Sequence, residues 1–271
     1  MTLHNLWHIY RASKIGSKLH GYEFLPNLNR IEIDITYECH LRCLNCARSC
    51  SQAPDIAAMT VSQIEKFVTE SISHSVKWEK IGVLGGEPML HPDLLEILEA
   101  LLSYKETYSP ETFIQITTSG YGKEVQDVIA AVPEGVIVNN THKIQAYQEK
   151  FEPFNLAPVD QRIFCLSEYR NGCSTTTDCG LGLNTYGYYP CGPGGSIDRV
   201  MGFDIGLKHL PRSRNEIFPQ MDQLCRHCGH FCSRHFIPKE EREKIVGSPM
   251  SPSWVHAYAV FESEKPKLTK Y

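Results

Sequence analysis

The sequence predicts an α/β protein with a parallel sheet and helical crossovers, ending in a small cysteine-rich extension. Three observations predict it. Short runs rich in Ile, Val, Thr and Phe alternate with segments of helical period. At 271 residues and 42% apolar content, the chain can bury one large core plus a small appendage. Six of its eleven cysteines fall between residues 173 and 232, in a stretch otherwise rich in Gly, Thr, Asn and Tyr.

Taken in order, residues 1–28 read as an N-terminal helical segment. Met1 to Lys18 lacks the continuous apolar stretch and small-residue cleavage site of a secretory signal. Arg30 to Thr36 is the first strand, running into a loop with Cys39, Cys43 and Cys46. Thr60 caps a helix whose Val61, Ile64, Phe67, Val68 and Ile72 recur at helical spacing, so one face packs on the sheet. Lys80 to Leu84 is the second strand, with Gly85-Gly86-Glu87-Pro88 at its carboxyl end. Asp93 caps a helix through Tyr104; Phe113 to Thr118, Val136 to Asn139 and Arg162 to Leu166 are the third, fourth and fifth strands.

Cys39-His40-Leu41-Arg42-Cys43-Leu44-Asn45-Cys46 has the spacing C-x3-C-x2-C. Three thiolates so placed can grip three irons of a cubane cluster, leaving the fourth iron open to a small chelating ligand. Followed by a helix, a strand and Gly85-Gly86-Glu87-Pro88, this arrangement resembles the radical S-adenosylmethionine (SAM) enzymes. The resemblance covers about Asn29 to Ser167 and implies a partial TIM-like (β/α) barrel over residues 29–167. It also implies a 4Fe-4S cluster on Cys39, Cys43 and Cys46. SAM would lie on that cluster, with Gly85, Gly86, Glu87 and Pro88 lining its methionine moiety. The glycines permit close backbone approach and Pro88 fixes the turn.

The third strand ends Thr117-Thr118-Ser119-Gly120, and the resemblance makes Thr118 and Ser119 candidates for the ribose and carboxylate of SAM; an ordinary turn would use the same residues. Asn139 and Asn140 could face the nucleoside or make an Asx turn. Asn45 departs from the aromatic residue that many family members carry before the third cysteine. His91 and Asp93 fit either a family continuation or a plain helix start.

Residues 168–240 carry the second signal. Cys179 to Cys191 reads as a short hairpin with ligands at both ends, followed by the knuckle Cys225-x2-Cys228. This resembles the twitch/SPASM extension, and implies a second, auxiliary 4Fe-4S cluster. Its ligands would be Cys179, Cys191, Cys225 and Cys228, with Cys173 the alternative to Cys179. Zinc on the same thiolates, with His227, His230 or His235 nearby, is the competing reading. Cys50, Cys165 and Cys232 are left as buried small hydrophobes, or as a hydrogen-atom donor to a substrate radical. Glu168, Tyr169, Arg170 and Arg199 lie near the strand-to-extension junction and are acid-base candidates, with solvated loop residues as the plain alternative.

A formal net charge of -4 argues against a nucleic-acid partner, no stretch approaches a membrane span, and eleven cysteines without a signal peptide indicate a reducing, cytoplasmic setting. The expected activity is reductive cleavage of SAM to a 5'-deoxyadenosyl radical, used to oxidise or epimerise a small polar metabolite such as a sugar or aminocyclitol. Flavodoxin or ferredoxin would be the reductant. A maturase of short ribosomal peptides is the second reading, lowered by the lack of a segment sized for a leader-binding domain. A zinc-binding interaction module is the non-enzyme alternative. Residues 241–271 read as a C-terminal tail, flexible over Lys265 to Lys270.

Overall fold

In the computed structural model, which describes residues 3–149, 152–237, 241, 247 and 249–271, two helices open the chain: α1 (Leu3–Arg11) and α2 (Lys14–His20). Then come β1 (Arg30–Thr36), β2 (Arg42–Cys43), α3 (Val61–Ser73), β3 (Lys80–Gly85), α4 (Leu94–Thr107), β4 (Phe113–Thr118), α5 (Lys123–Ile129) and β5 (Ile137–Asn140). The remainder holds β6 (Tyr147–Gln148), α6 (Ser174–Asp178), β7 (Leu181–Asn184), β8 (Gly187–Tyr189), α7 (Gly192–Met201), α8 (Arg214–Leu224), α9 (Gly229–Phe236) and α10 (Pro252–Ser263). The main sheet has the order β5-β4-β3-β1-β7-β8, parallel throughout except for β8. It is a mostly parallel α/β sheet, consistent with a partial barrel.

Strand β1 sits in the middle and sorts its side chains by the two-residue strand period. Ile31, Ile33 and Ile35 are fully buried in the apolar core, with Ile64, Phe67, Ile81, Val83, Leu98 and Ile116. Glu32, Asp34 and Thr36 occupy the alternate positions.

Helix α3 starts with a capping box between Thr60 and Gln63, as the sequence predicts. Its buried face is rotated from the expected stripe, because Ile72 is 40% exposed while Ser71 is buried. The cause is Trp78, whose buried indole N–H needs an acceptor and donates to Ser71 Oγ at 3.0 Å. Asp93 holds the N-cap position of α4 without a side-chain bond; its own N–H donates to His91 Nδ1 at 3.0 Å.

The strand expected over Arg162 to Leu166 does not form. Arg162–Phe164 is a single 3-10 turn in which Phe164 is buried, while Ile163 and Leu166 face solvent. The place beside β1 is taken by β7, with Ile31 opposite Leu181 and Ile33 opposite Leu183. The hairpin expected between Cys179 and Cys191 is thus present and continues the main sheet.

Lys265 to Lys270 is anchored rather than loose. Thr269 donates through its N–H and Oγ1 to Asp204 at 2.9 and 2.7 Å, and Lys208 Nζ donates to the Thr269 carbonyl at 2.8 Å. The Tyr271 N–H donates to Thr185 O at 3.0 Å and its hydroxyl donates to Glu70 Oε2 at 2.9 Å. Among the described residues no helix is long and apolar enough to cross a membrane. Replacing Tyr271 by Ala removes the hydroxyl bond to Glu70 and the ring beneath Lys66, whose Nζ lies 3.8 Å from the ring centre. Urea denaturation is expected to show a loss of about 2 kcal/mol, whereas an unchanged midpoint would mean that the end of the chain contributes nothing.

Candidate functional site

The cysteine loop is fastened to the end of β3 through backbone alone. Gly86 N–H donates to Thr36 O and Glu87 N–H to Glu38 O, both at 2.8 Å. A Cβ on Gly85 would lie 2.3 Å from Thr36 O, and one on Gly86 would lie 2.2 Å from Glu38 O. Gly85 also has φ +136, open in practice to glycine only. These glycines therefore serve first to bring two chain segments together. On its far side the loop is held by β2 and β6, where Arg42 N–H donates to Ala146 O at 2.6 Å and Leu44 N–H to Gln148 O at 3.0 Å. Asn45 is buried at φ +50, a left-handed conformation that Asn tolerates, and its Nδ2 donates to Gly247 O at 2.9 Å.

Cys39, Cys43 and Cys46 line one cavity of about 250 Å³, together with Cys50, Gly85, Gly86, Thr118 and Ser119. Glu87 is 1% exposed, and its carboxylate accepts from Thr118 Oγ1 at 2.6 Å, Ser119 N at 2.9 Å and Ser119 Oγ at 2.5 Å. The two hydroxyl protons are thus directed at Glu87, leaving oxygen lone pairs as their means of meeting a ligand. Pro88 opens a 3-10 turn over Pro88–Leu90, and His91 shares a 2.8 Å hydrogen bond with Met59 O. Asn139 is exposed, does not line the cavity, and donates weakly to Thr117 Oγ1 at 3.4 Å. Asn140 Oδ1 accepts from His142 N–H at 2.8 Å, making the Asx turn.

The three thiols differ in acidity. Burial pushes Cys39 up to about 11 and Cys43 up to about 12. Cys46 is drawn down to about 6, chiefly because the Cys50 thiol donates to it, with backbone N–H groups and Arg48 adding to the effect against burial.

Behind Cys46 lies a charged cluster that sequence reasoning missed. Arg48 Nη2 donates to Glu32 Oε2 at 2.8 Å and its Nε to Asp34 Oδ1 at 3.1 Å. Burial raises Asp34 to about 6 in spite of Arg48. The available signal was the pair of acids at alternate positions in an otherwise Ile-rich central strand. Arg199 is 1% exposed and donates to Ala53 O at 2.9 Å and Arg48 O at 3.0 Å, with Tyr37 stacked 4.2 Å away. It clamps the loop after Cys46.

The second cysteine group converges elsewhere. Cys173, Cys191, Cys225 and Cys228 line one buried cavity, while Cys179 is outside it and bonds to Glu32. Among the described residues, no three cysteine sulfurs lie within 4.8 Å of one another. A Cβ on Gly192, next to Cys191, would meet Arg48 Nη2 at 2.4 Å and Glu32 Oε2 at 2.9 Å. The Arg48–Glu32 pair therefore lies between the two cysteine groups. Glu168 is ion-paired to Arg170 at 2.8 Å, and Tyr169 donates to Phe164 O at 3.2 Å. Burial raises Cys232 to about 12, and Cys165 is exposed. None of these four lines the cavity around Cys39, Cys43 and Cys46.

In the metal-free, reduced protein, iodoacetamide should label Cys46 ahead of Cys39 and Cys43 at pH 7, with a rate that climbs through about pH 6. Cys50→Ala should shift that climb to higher pH, as read by peptide mass spectrometry over a pH series; equal labelling of the three thiols would refute the assignment.

Comparison with known proteins bears on this geometry. Residues 33–186 match the model of the Radical SAM superfamily. The chain is 29% identical over 105 residues to a probable GTP 3',8-cyclase of Methanococcus aeolicus, covering 37% of this chain and 34% of that one. It is 29% identical over 101 residues to the GTP 3',8-cyclase of Campylobacter jejuni subsp. doylei, covering 36% and 30%. It thus spans about a third of the length of these curated relatives. Among solved structures, BtrN in complex with AdoMet and 2-DOIA aligns over 83% of this chain and 100% of its own, at 13% identity and a TM-score of 0.43. Streptococcus suis SuiB bound to precursor peptide SuiA aligns over 45% and 25%, at 22% identity and a TM-score of 0.32. The family match runs from within β1 through the cysteine loop and the Gly85–Pro88 turn to the β7–β8 hairpin, more than half of the chain, which therefore belongs to the radical SAM superfamily.

Proposed function

We propose that this radical SAM enzyme abstracts hydrogen from an unactivated C–H bond of a small polar metabolite, such as a sugar or aminocyclitol, and oxidises or epimerises it. Cys39, Cys43 and Cys46 hold a 4Fe-4S cluster, with Gly85, Gly86, Thr118 and Ser119 around SAM and Glu87 fixing that rim from behind. Cys173, Cys191, Cys225 and Cys228 hold an auxiliary cluster. When bound, these groups supply one electron, the 5'-deoxyadenosyl radical and an acceptor for the electron left on the substrate.

The observation that carries the reading is the Arg48–Glu32–Asp34 cluster between the two cysteine groups. Such a cluster beside the cavity that Arg48 lines offers carboxylate acceptors and a guanidinium donor to hydroxyl or amino groups, which supports a polar substrate. A carboxylate oxygen of Glu32 or Asp34 can take the proton released when a carbinol radical is oxidised. Cys179, bonded to Glu32, is within the same cluster and serves as the hydrogen-atom donor if the outcome is epimerisation, the thiyl radical left on its sulfur being returned to the thiol by one electron from flavodoxin or ferredoxin and one proton. The likeness to GTP 3',8-cyclases covers about a third of each chain and supports shared SAM chemistry without favouring a nucleotide substrate. Flavodoxin or ferredoxin would deliver the reducing electron.

Anaerobically reconstituted protein should contain about eight irons per chain, falling to about four when Cys39, Cys43 and Cys46 are all changed to Ala, with loss of 5'-deoxyadenosine formation. About four irons plus one zinc in the intact protein would sink the auxiliary cluster and leave the radical chemistry. Cys173→Ser should lose about four irons whereas Cys179→Ser keeps about eight; the reverse pattern would exchange their roles.

A further inference from the structure

A separate group of side chains lies where the N-terminal helices meet α9. His8 on α1, Glu23 after α2 and His235 in the last turn of α9 each aim a ligand atom into one space, all within 4.8 Å of one another. His235 is 4% exposed. Its Nε2 is 2.9 Å from the carbonyl of Gly172, which can only accept, so Nε2 carries the hydrogen. In the neutral ring, Nδ1 is then left as a buried lone pair with no hydrogen-bond partner. Glu23 Oε2 stands 4.0 Å away, too far for a hydrogen bond.

The His235 ring is buried in an apolar setting. The rings of Phe231, Phe24 and Phe236 pack on it with centroids 4.9, 5.3 and 5.9 Å away. The buried Nδ1 lone pair lacks a donor, and a cation held between it and the solvent-facing Glu23 carboxylate would supply its missing partner. Two imidazoles and one carboxylate form a donor set that zinc accepts, leaving a fourth position for water. Donation by the second ring nitrogen to a backbone carbonyl is the outer-shell arrangement of a metal-bound histidine.

We propose that His8, Glu23 and His235 bind a divalent cation of the zinc class, which clasps the N-terminal helices to α9. Gly172, the acceptor of His235 Nε2–H, directly precedes Cys173, so the clasp also steadies the backbone beside the buried cysteine group. The site is independent of the reaction proposed above.

The test uses the full chain, anaerobically reconstituted with iron and sulfide, exposed to zinc sulfate and desalted. Wild type should retain about one zinc per chain and melt at a higher temperature with zinc than without it. His235→Ala and His8→Ala should retain none and show no zinc-dependent shift, and Glu23→Gln should bind at least about tenfold more weakly. His8 lies on the first helix and is only partly buried, so its variant keeps the test valid if His235→Ala fails to fold. Cys225→Ser should lose iron and still retain the zinc, which separates this site from zinc held by cysteines. Zinc retention by His8→Ala equal to wild type, loss of zinc in Cys225→Ser, or no retention by wild type would each overturn the proposal.

Discussion

The functional architecture depends on two hydrogen bonds between strand ends, from Gly86 N–H to Thr36 O and from Glu87 N–H to Glu38 O. Neither approach tolerates a side chain at 85 or 86, because a Cβ would fall well inside contact distance of the opposing carbonyl. Once the segments are joined, the cysteine loop leaving β1 and the turn leaving β3 share one wall of the same cavity. Glu87 extends the join to β4 by gathering Thr118 and Ser119 onto its buried carboxylate. Three strand ends are locked in sequence, so the rim is preorganised.

The interior beneath that rim is charged and internally balanced. Arg48 faces two carboxylates on β1, and Arg199 holds the Arg48 carbonyl from the opposite side while stacking on Tyr37. Desolvation makes each charge costly alone, and the network offsets that cost only while every member is in place. Burial still leaves Asp34 raised toward neutral pH in spite of Arg48, while the Cys50 thiol draws Cys46 down.

Features written within a few adjacent residues were legible in the sequence. The triplet Cys39, Cys43 and Cys46, the turn Gly85–Pro88, the capping box at Thr60 and the hairpin ending at Cys191 each declare themselves through spacing. Features that depend on distant partners were not. Cys173 joins Cys191, Cys225 and Cys228 through packing across four segments, which spacing does not encode. Ile72 yields its place to Ser71 because of Trp78, and Tyr271 docks because Glu70, Tyr188 and Thr185 await it. Arg162 to Leu166 has the composition of a strand, but Leu181–Asn184 takes the place beside β1 and Arg162–Phe164 closes a 3-10 turn instead. Glu32 and Asp34 were readable from strand alternation, yet their meaning required Arg48, which arrives from the loop beyond Cys46.

The pairing of β1 with β7 joins residues about 150 positions apart in the chain. Contacts of such long range close late in folding, after the loop entropy between them has been overcome. Until β7 arrives, β1 is an edge strand, and its row of Ile residues stands beside unpaired backbone groups of the kind that recruit other chains. The cysteine-rich segment is thus a guard on the sheet as well as a bearer of ligands. A chain ending at residue 167 would retain the triplet Cys39, Cys43 and Cys46 and forfeit the strand that shields their scaffold from aggregation.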